Sequence, residues 1–123
     1  MSRWQDAALL AARLLLAVLF LGGAVQKVLA PEPVYELLAM RGWPLWLYWP
    51  ALIYTTAAGL ALVAGAWIAP VALSLAGYCA VTSIFHLQPE DPWQMTIFVK
   101  NWAIAGGCLA LAVAGPGPWR LVR

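Results

Sequence analysis

Four long apolar stretches, separated by shorter segments rich in proline and aromatic residues, dominate the hydrophobic pattern of the chain. They cover residues 7–30, 46–67, 70–87 and 93–114, with approximate ends. Each approaches the ~20 residues that a helix needs to cross a hydrocarbon core of ~30 Å. Because the apolar runs are continuous rather than alternating, and lipid accommodates only helices and closed barrels, the pattern predicts helices. We therefore expect four membrane-spanning helices in a single domain, residues 1–123.

Proline residues mark the ends of the apolar stretches. Pro31 follows the first stretch, and Pro70 suits the first turn of the third. The longest connection reads PEPVYELLAMRGWPLWLYW, and residues at helical spacing in it predict a short amphipathic helix on the membrane surface: Val34, Leu37, Leu38 and Arg41. Short connections make consecutive helices antiparallel neighbours. The predicted fold class is therefore all-α: a polytopic membrane protein, an antiparallel four-transmembrane-helix bundle with a short amphipathic helix in the first loop.

Composition excludes a soluble domain. Hydrophobic residues make up 64% of the 123 residues and charged residues 10%, whereas about 25% of the residues in a typical soluble protein are charged. A soluble fold this apolar would expose larger patches than monomers tolerate. The net charge of +2 is too small to indicate a nucleic-acid partner. We expect an integral membrane protein with lipid as its surroundings, and a homo-oligomer is left open.

Aromatic and basic residues predict how the bundle lies in the membrane. With four spans, Trp4, Trp67 and Trp119 fall at one interface. A second aromatic group falls at the other interface, as aromatic belts require: Tyr35, Trp43, Trp46, Tyr48, Trp49 and Trp93. Basic residues also flank the terminal side of the bundle: Arg3, Arg120 and Arg123. Because Lys and Arg favour the cytoplasmic side, we expect both termini in the cytoplasm.

Polar residues near the ends of the spans converge on one half of the membrane. The predicted ligand-binding set is Lys27, Thr55, His86, Asp91, Lys100 and Asn101. A cation at the centre of a spanning helix costs about 2.5–3.5 kcal/mol on insertion scales, so such groups usually face the bundle interior or a wet cavity. On the fourth helix, the face predicted to point inward carries Thr96, Lys100, Ala103 and Gly107. The hypothesis is a polar chamber in one leaflet.

Each of these residues also has a simpler interpretation. Lys27 and Lys100 can extend to the lipid head groups, His86 can anchor the interface, and Asn101 can join two helices by a hydrogen bond. Arg13, in the first helix, is expected either to reach the head groups or to bond the terminal segment. Four glycines are interpreted as helix-packing contacts: Gly22, Gly23, Gly106 and Gly107.

Several chemistries lack the residues that they need. Cys79 and Cys108 lie at different depths in separate helices, without a C-x-x-C motif. One histidine cannot supply two haem ligands, and no Cys/His cluster indicates a metal site. We therefore expect no metal and no covalently bound cofactor, which leaves an organic ligand such as a quinone or lipid, or a protein partner.

Four pieces of the sequence, in order, resemble the DoxX family of small four-helix membrane proteins. They are RLLLAVLFLGGAVQKV, AGLALVAGAW, the FH pair and FVKNWAIAGGCLALAVAGPG. The resemblance implies a bacterial inner-membrane location and a shared polar site at Lys27, His86, Lys100 and Asn101. It also implies association with redox or sulfur-metabolism proteins, because related proteins belong to thiosulfate:quinone oxidoreductase or to oxidative-stress complexes. Relatives often carry a glutamate where this chain has Thr55.

Two functions follow from the resemblance and the polar residues. The first is a non-enzymatic membrane subunit or scaffold of a redox or thiol-stress complex, whose chamber holds a lipid, a quinone or a partner segment. The alternative is a catalytic quinone-linked oxidoreductase subunit, in which His86 moves a proton and Lys100 with Asn101 stabilises an oxyanion. Since no electron carrier is visible in the sequence, the first function, without catalysis by the chain alone, is favoured.

Overall fold

Five α-helices account for most of the chain in a computed structural model, which describes residues 2–121. They are α1 (Arg3–Leu29), α2 (Glu32–Met40), α3 (Tyr48–Ala64), α4 (Ile68–Thr82) and α5 (Pro92–Ala114). Single 3-10 turns precede α3 (Leu45–Leu47) and follow α4 (Ser83–His86). Together with these turns, α1, α3, α4 and α5 form four segments long and apolar enough to cross a membrane. The predicted fold class is confirmed, with α2 as the short helix of the first loop.

The helix ends differ from the predicted bounds for local reasons. Helix α3 ends at Ala64 because Gly65 adopts a left-handed conformation, with φ of 73°, which closes the helix. Helix α4 begins at Ile68 rather than at Pro70, since proline is tolerated throughout the first turn. Helix α1 already begins at Arg3, where the Ser2 N–H donates to Gln5 Oε1 at 2.9 Å.

The bundle consists of two helix pairs, α1 with α3 and α4 with α5. The pairs meet through α3–α4 and α1–α5 contacts around a buried core that includes Ala17, Phe20, Leu62, Leu75, Cys108 and Leu111. Helices α1 and α3 approach closely at Gly59, where an added Cβ would lie 2.7 Å from Leu21 Cγ. The four glycines that were interpreted as packing contacts differ from Gly59. An added Cβ at Gly22, Gly23, Gly106 or Gly107 would meet nothing within 4 Å. These four glycines are therefore not sites of close helix packing inside this chain, and that interpretation is wrong.

Helix α2 lies across the end of the bundle opposite to the termini. Its Leu38 is buried, and Arg41 Nη2 donates to the carbonyls of Ile84 and, at 3.2 Å, Leu87. Trp43, just beyond α2, packs edge-on against Phe85 with ring centroids 5.0 Å apart. The amphipathic helix is thus tied to the end of the α4 segment and covers the space between the two pairs.

The segment after α5 folds back onto the turn between α3 and α4. Arg13 Nη1 donates to the carbonyl of Pro116 at 3.0 Å and to that of Trp119. The backbone N–H of Leu121 donates to the Ala64 carbonyl at 2.9 Å. Of the two outcomes expected for Arg13, the structure has the second, bonding to the terminal segment. Met1, Val122 and Arg123 lie outside the described residues, and so does the predicted contribution of Arg123 to the charge bias.

All seven tryptophans of the predicted aromatic belts are exposed, as residues that face lipid should be. On the terminal side these are Trp4, Trp67 and Trp119, and on the other side Trp43, Trp46, Trp49 and Trp93. The two belt tyrosines differ from them: Tyr35 is half-buried, and Tyr48 is only 4% exposed. Its hydroxyl donates to the Lys27 carbonyl at 2.7 Å, one of the carbonyls that the end of α1 leaves without a helical partner. Tyr48 therefore packs inside the protein and not against lipid.

Candidate ligand-binding site

A cavity of about 620 Å³ lies between the two helix pairs, at the end of the bundle that α2 covers. All five helices contribute to its wall. Its polar lining residues are Gln26, Lys27, Tyr54, Tyr78, Thr82, His86 and Asn101, and apolar ones include Val34, Leu37, Leu38, Trp43, Phe85 and Ile97. Sites for drug-sized molecules have volumes of about 300–1,000 Å³ and a mostly apolar wall with few polar groups. The cavity has the size and lining of such a site.

Lys27 is half-buried in this wall, two residues before the end of α1. Its Nζ atom donates to the Tyr78 hydroxyl over a long 3.4 Å and lies 5.9 Å from the centroid of the Tyr78 ring. Both contacts are with a neutral side chain, and an ammonium group has three N–H donors. Much of the hydrogen-bonding capacity of Lys27 is therefore free for another molecule.

His86 is held by the helix that follows it. Its Nδ1 atom lies 2.6 Å from Oε1 of Gln94, in the first turn of α5. With the amide oxygen as acceptor, Nδ1 carries the proton and Nε2 remains without a protein partner among the described residues. The 3-10 turn Ser83–His86 and α5 thus fix the ring at the edge of the cavity.

Helix α5 brings Asn101, and not Lys100, to the cavity. Asn101 lines it together with Ile97, whereas Lys100 is exposed and does not line it. The face predicted to point inward is exposed throughout: Thr96, Lys100, Ala103 and Gly107. The inward face is one residue further around the helix and carries Ile97, Asn101, Ala105, Cys108 and Leu111. The predicted phase of this helix was wrong, because apolar residues surround α5 on every side.

Thr55 and Asp91 lie away from the cavity as well. Thr55 is 2% exposed, and its hydroxyl donates to the Ala51 carbonyl one turn earlier, at 2.9 Å. Asp91 caps α5: its Oδ1 accepts from the backbone N–H groups of Trp93, at 3.0 Å, and Gln94. The Asp-Pro pair at the start of a helix is a common capping signature, so this second role was readable in the sequence.

The structure therefore brings three of the six predicted residues, Lys27, His86 and Asn101, to one cavity. Sequence reasoning missed Tyr78, which contacts Lys27, and Gln94, which holds His86. For Tyr78 a signal existed, since it lies four residues before Thr82 and eight before His86, on one helical stripe. For Gln94 there was none, because its contact crosses from the α4 segment to α5.

The charge that the described residues contribute to the cavity is positive. Lys27 is the only Lys, Arg, Asp or Glu among the described lining residues. In the part of the chain described, no group of three or more His, Cys, Asp or Glu side chains could hold a metal ion. The cavity can thus offer hydrogen bonds and one positive charge to a largely apolar molecule.

Comparison with known proteins places the chain in a family. The profile of the DoxX family matches residues 8–88, which include most of α1 and all of α2 to α4. The chain is also similar to the inner membrane protein YqjF of Escherichia coli (strain K12), with 28% identity over 124 residues, 100% of this chain and 95% of the relative. No solved structure matches the chain significantly. On the extent of the profile match, the protein belongs to the DoxX family.

Proposed function

We propose that this DoxX protein is a non-enzymatic membrane subunit that holds a lipid-soluble amphiphile in the cavity beneath α2. The main support for this proposal is the cavity of about 620 Å³, whose mainly apolar wall includes Lys27, His86 and Asn101. Ionisable groups within spanning helices are unfavourable and usually serve a function. Ligand binding gives a reason for their position.

The catalytic alternative receives less support. It requires His86 and Lys100 at one quinone, but Lys100 is exposed and does not line the cavity. A general acid or an oxyanion donor has to lie within hydrogen-bond reach of the reacting atoms. A quinone bound without chemistry, or a lipid, fits the binding function equally well by size and polarity.

We further propose a bacterial inner-membrane location and a role beside a redox or thiol-stress complex. The location draws support from YqjF, which is an inner membrane protein. The complex rests on the resemblance to the DoxX family alone. Exposed Glu32 and Glu36 on α2, beside the cavity, offer a soluble redox or sulfur-metabolism protein a polar surface.

Two neighbouring glycines provide the test of ligand binding. Gly23 lines the cavity, and a Cβ there would meet nothing within 4 Å, so Gly23→Trp can fill the space. Gly22 is exposed and equally uncrowded, so Gly22→Trp places the same side chain outside the cavity. We expect the wild type and Gly22→Trp to retain a lipid-soluble molecule after purification, and Gly23→Trp to lose it, as measured by native mass spectrometry and solvent extraction.

One outcome of this experiment would contradict the proposed function. If all three proteins carry the same extractable molecules in the same amounts, the cavity does not hold a ligand and the proposed function is wrong. Circular dichroism of the three proteins would verify that the tryptophan substitutions leave the helical content unchanged.

A further inference from the structure

The acidic residues of the chain leave the charge of Lys27 without a partner. There are five, and none of them lines the cavity. Asp6 lies at the opposite end of α1, Glu32, Glu36 and Glu90 are exposed, and Asp91 caps α5. Charged groups taken out of water are normally paired, because an isolated charge in an apolar medium is strongly unfavourable. At Lys27 the residues that the structure describes provide the cation and no anion.

The groups around Lys27 add donors rather than a countercharge. Tyr78 offers a neutral hydroxyl at 3.4 Å. Asn101 lies in the same wall, and its amide N–H₂ can donate to an anionic oxygen. Hydrogen bonds with an ionised partner are roughly twice as strong as neutral ones. The polar side of the cavity is therefore complementary to an acidic group.

The remainder of the wall is complementary to hydrocarbon. Helix α2 contributes Val34, Leu37 and Leu38, and Val81 and Ile97 face them from α4 and α5. The hydrocarbon chain of a molecule whose head group lies at Lys27 can therefore pack against this apolar wall.

We infer that the cavity takes an amphiphile with an anionic head group, a carboxylate or a phosphate, whose charge is paired by Lys27. This inference rests on the proposed function and narrows the ligand from any lipid-soluble molecule to an acidic one. A fatty acid and an alkyl or lysophospholipid phosphate share this chemistry, and the experiment distinguishes them.

The experiment compares probes that differ only in the head group. Wild-type protein in phosphatidylcholine nanodiscs is loaded with the fluorescent fatty acid cis-parinaric acid, and binding is followed by energy transfer from tryptophan. Palmitic acid, hexadecyl phosphate, hexadecanol and hexadecylamine then compete for the site. We expect the two acids to displace the probe at least ~10-fold better than the alcohol, since hydrogen bonds with an ionised partner are roughly twice as strong as neutral ones. A preference between the two acids identifies the head group.

Variants of the two lysines show whether the preference comes from Lys27. We expect Lys27→Met and Lys27→Gln to reduce acid binding to the level of hexadecanol, and Lys27→Arg to keep the preference. Lys100→Met is the matched control, because Lys100 is exposed and outside the cavity; it should bind like the wild type. Retained binding of hexadecanol by Lys27→Met would show that the variant is folded.

Two outcomes would overturn the inference in different ways. If acid, alcohol and amine compete equally and Lys27→Met changes nothing, Lys27 only extends to the head groups; the inference is wrong and the proposed function stands. If the Gly23→Trp variant binds every probe as the wild type does, the cavity is not the binding site. The inference and the proposed function are then both wrong.

Discussion

Arg13 is a buried cation whose partners are backbone carbonyls. It is 1% exposed, and its guanidinium donates to Leu62 and Val63 at the end of α3 and to Pro116 and Trp119 in the terminal segment. The last carbonyls of a helix lack helical partners and carry partial negative charge, so a cation there is favourable. The planar, multidentate guanidinium can bond several carbonyls at once. Arg13 thus caps α3 and fastens the terminal segment to it.

We predict that Arg13→Met destabilises the protein strongly. The substitution leaves carbonyls of two segments without donors, which we expect to lower the free energy of unfolding by on the order of 3 kcal/mol. Arg13→Lys should recover part of this, because one ammonium group cannot reach all the carbonyls. The measurement is unfolding by SDS titration in micelles, with Arg3→Met, at an exposed position, as control. Equal stability of Arg13→Met and Arg3→Met would contradict the role of Arg13.

Helices α1 and α3 approach each other very closely where Gly59 meets Leu21. A Cβ at position 59 would lie 2.7 Å from both Cγ and Cδ2 of Leu21, so the helices can approach this closely only because Gly59 has no side chain. Small residues at helix interfaces allow such packing within membranes, where hydrophobicity alone does not drive helices together.

We predict that Gly59→Ala lowers the free energy of unfolding by about 1–3 kcal/mol, since overpacking forces Leu21 or the helices to move. In a Leu21→Ala background the same substitution should cost much less, because the clash is absent, and the double-mutant cycle measures this coupling. Gly106→Ala, where a Cβ meets nothing within 4 Å, is the matched control. An equal cost of Gly59→Ala in both backgrounds would show that the contact does not limit the packing.

The molecule as a whole has a terminal end, closed by Arg13 and the segment after α5, and an opposite end that contains the cavity. The orientation expected from the basic residues therefore decides which leaflet the cavity occupies. With both termini in the cytoplasm, the cavity would lie in the leaflet that faces away from the cytoplasm.

We predict that a cysteine at position 90 is accessible from outside the cell and one at position 2 is not. Glu90 and Ser2 are exposed at opposite ends of the bundle, while Cys79 and Cys108 are buried and serve as an internal background. A membrane-impermeant maleimide should label Glu90→Cys in intact spheroplasts and Ser2→Cys only after lysis. The reverse pattern would place the termini outside and the cavity in the cytoplasmic leaflet.

The sequence by itself determined the features that depend on length and on hydrophobicity along the chain. Continuous apolar stretches predicted four spans, and helical spacing between prolines predicted α2. The convergence of Lys27, His86 and Asn101 also followed from their similar depth. Polar and charged groups at one level of a small bundle usually face its interior or a water-filled cavity.

Only the tertiary structure decided how each helix is rotated and which residues meet. Lipid and protein core are both apolar, so a helix that is hydrophobic on every side carries no signal for its inward face. For this reason the packing of α5, and not the sequence pattern, determined that Asn101 lines the cavity and Lys100 does not. The burial of Tyr48 and the partners of Arg13 depend on contacts between distant segments, and hydropathy along the chain contains no information about them.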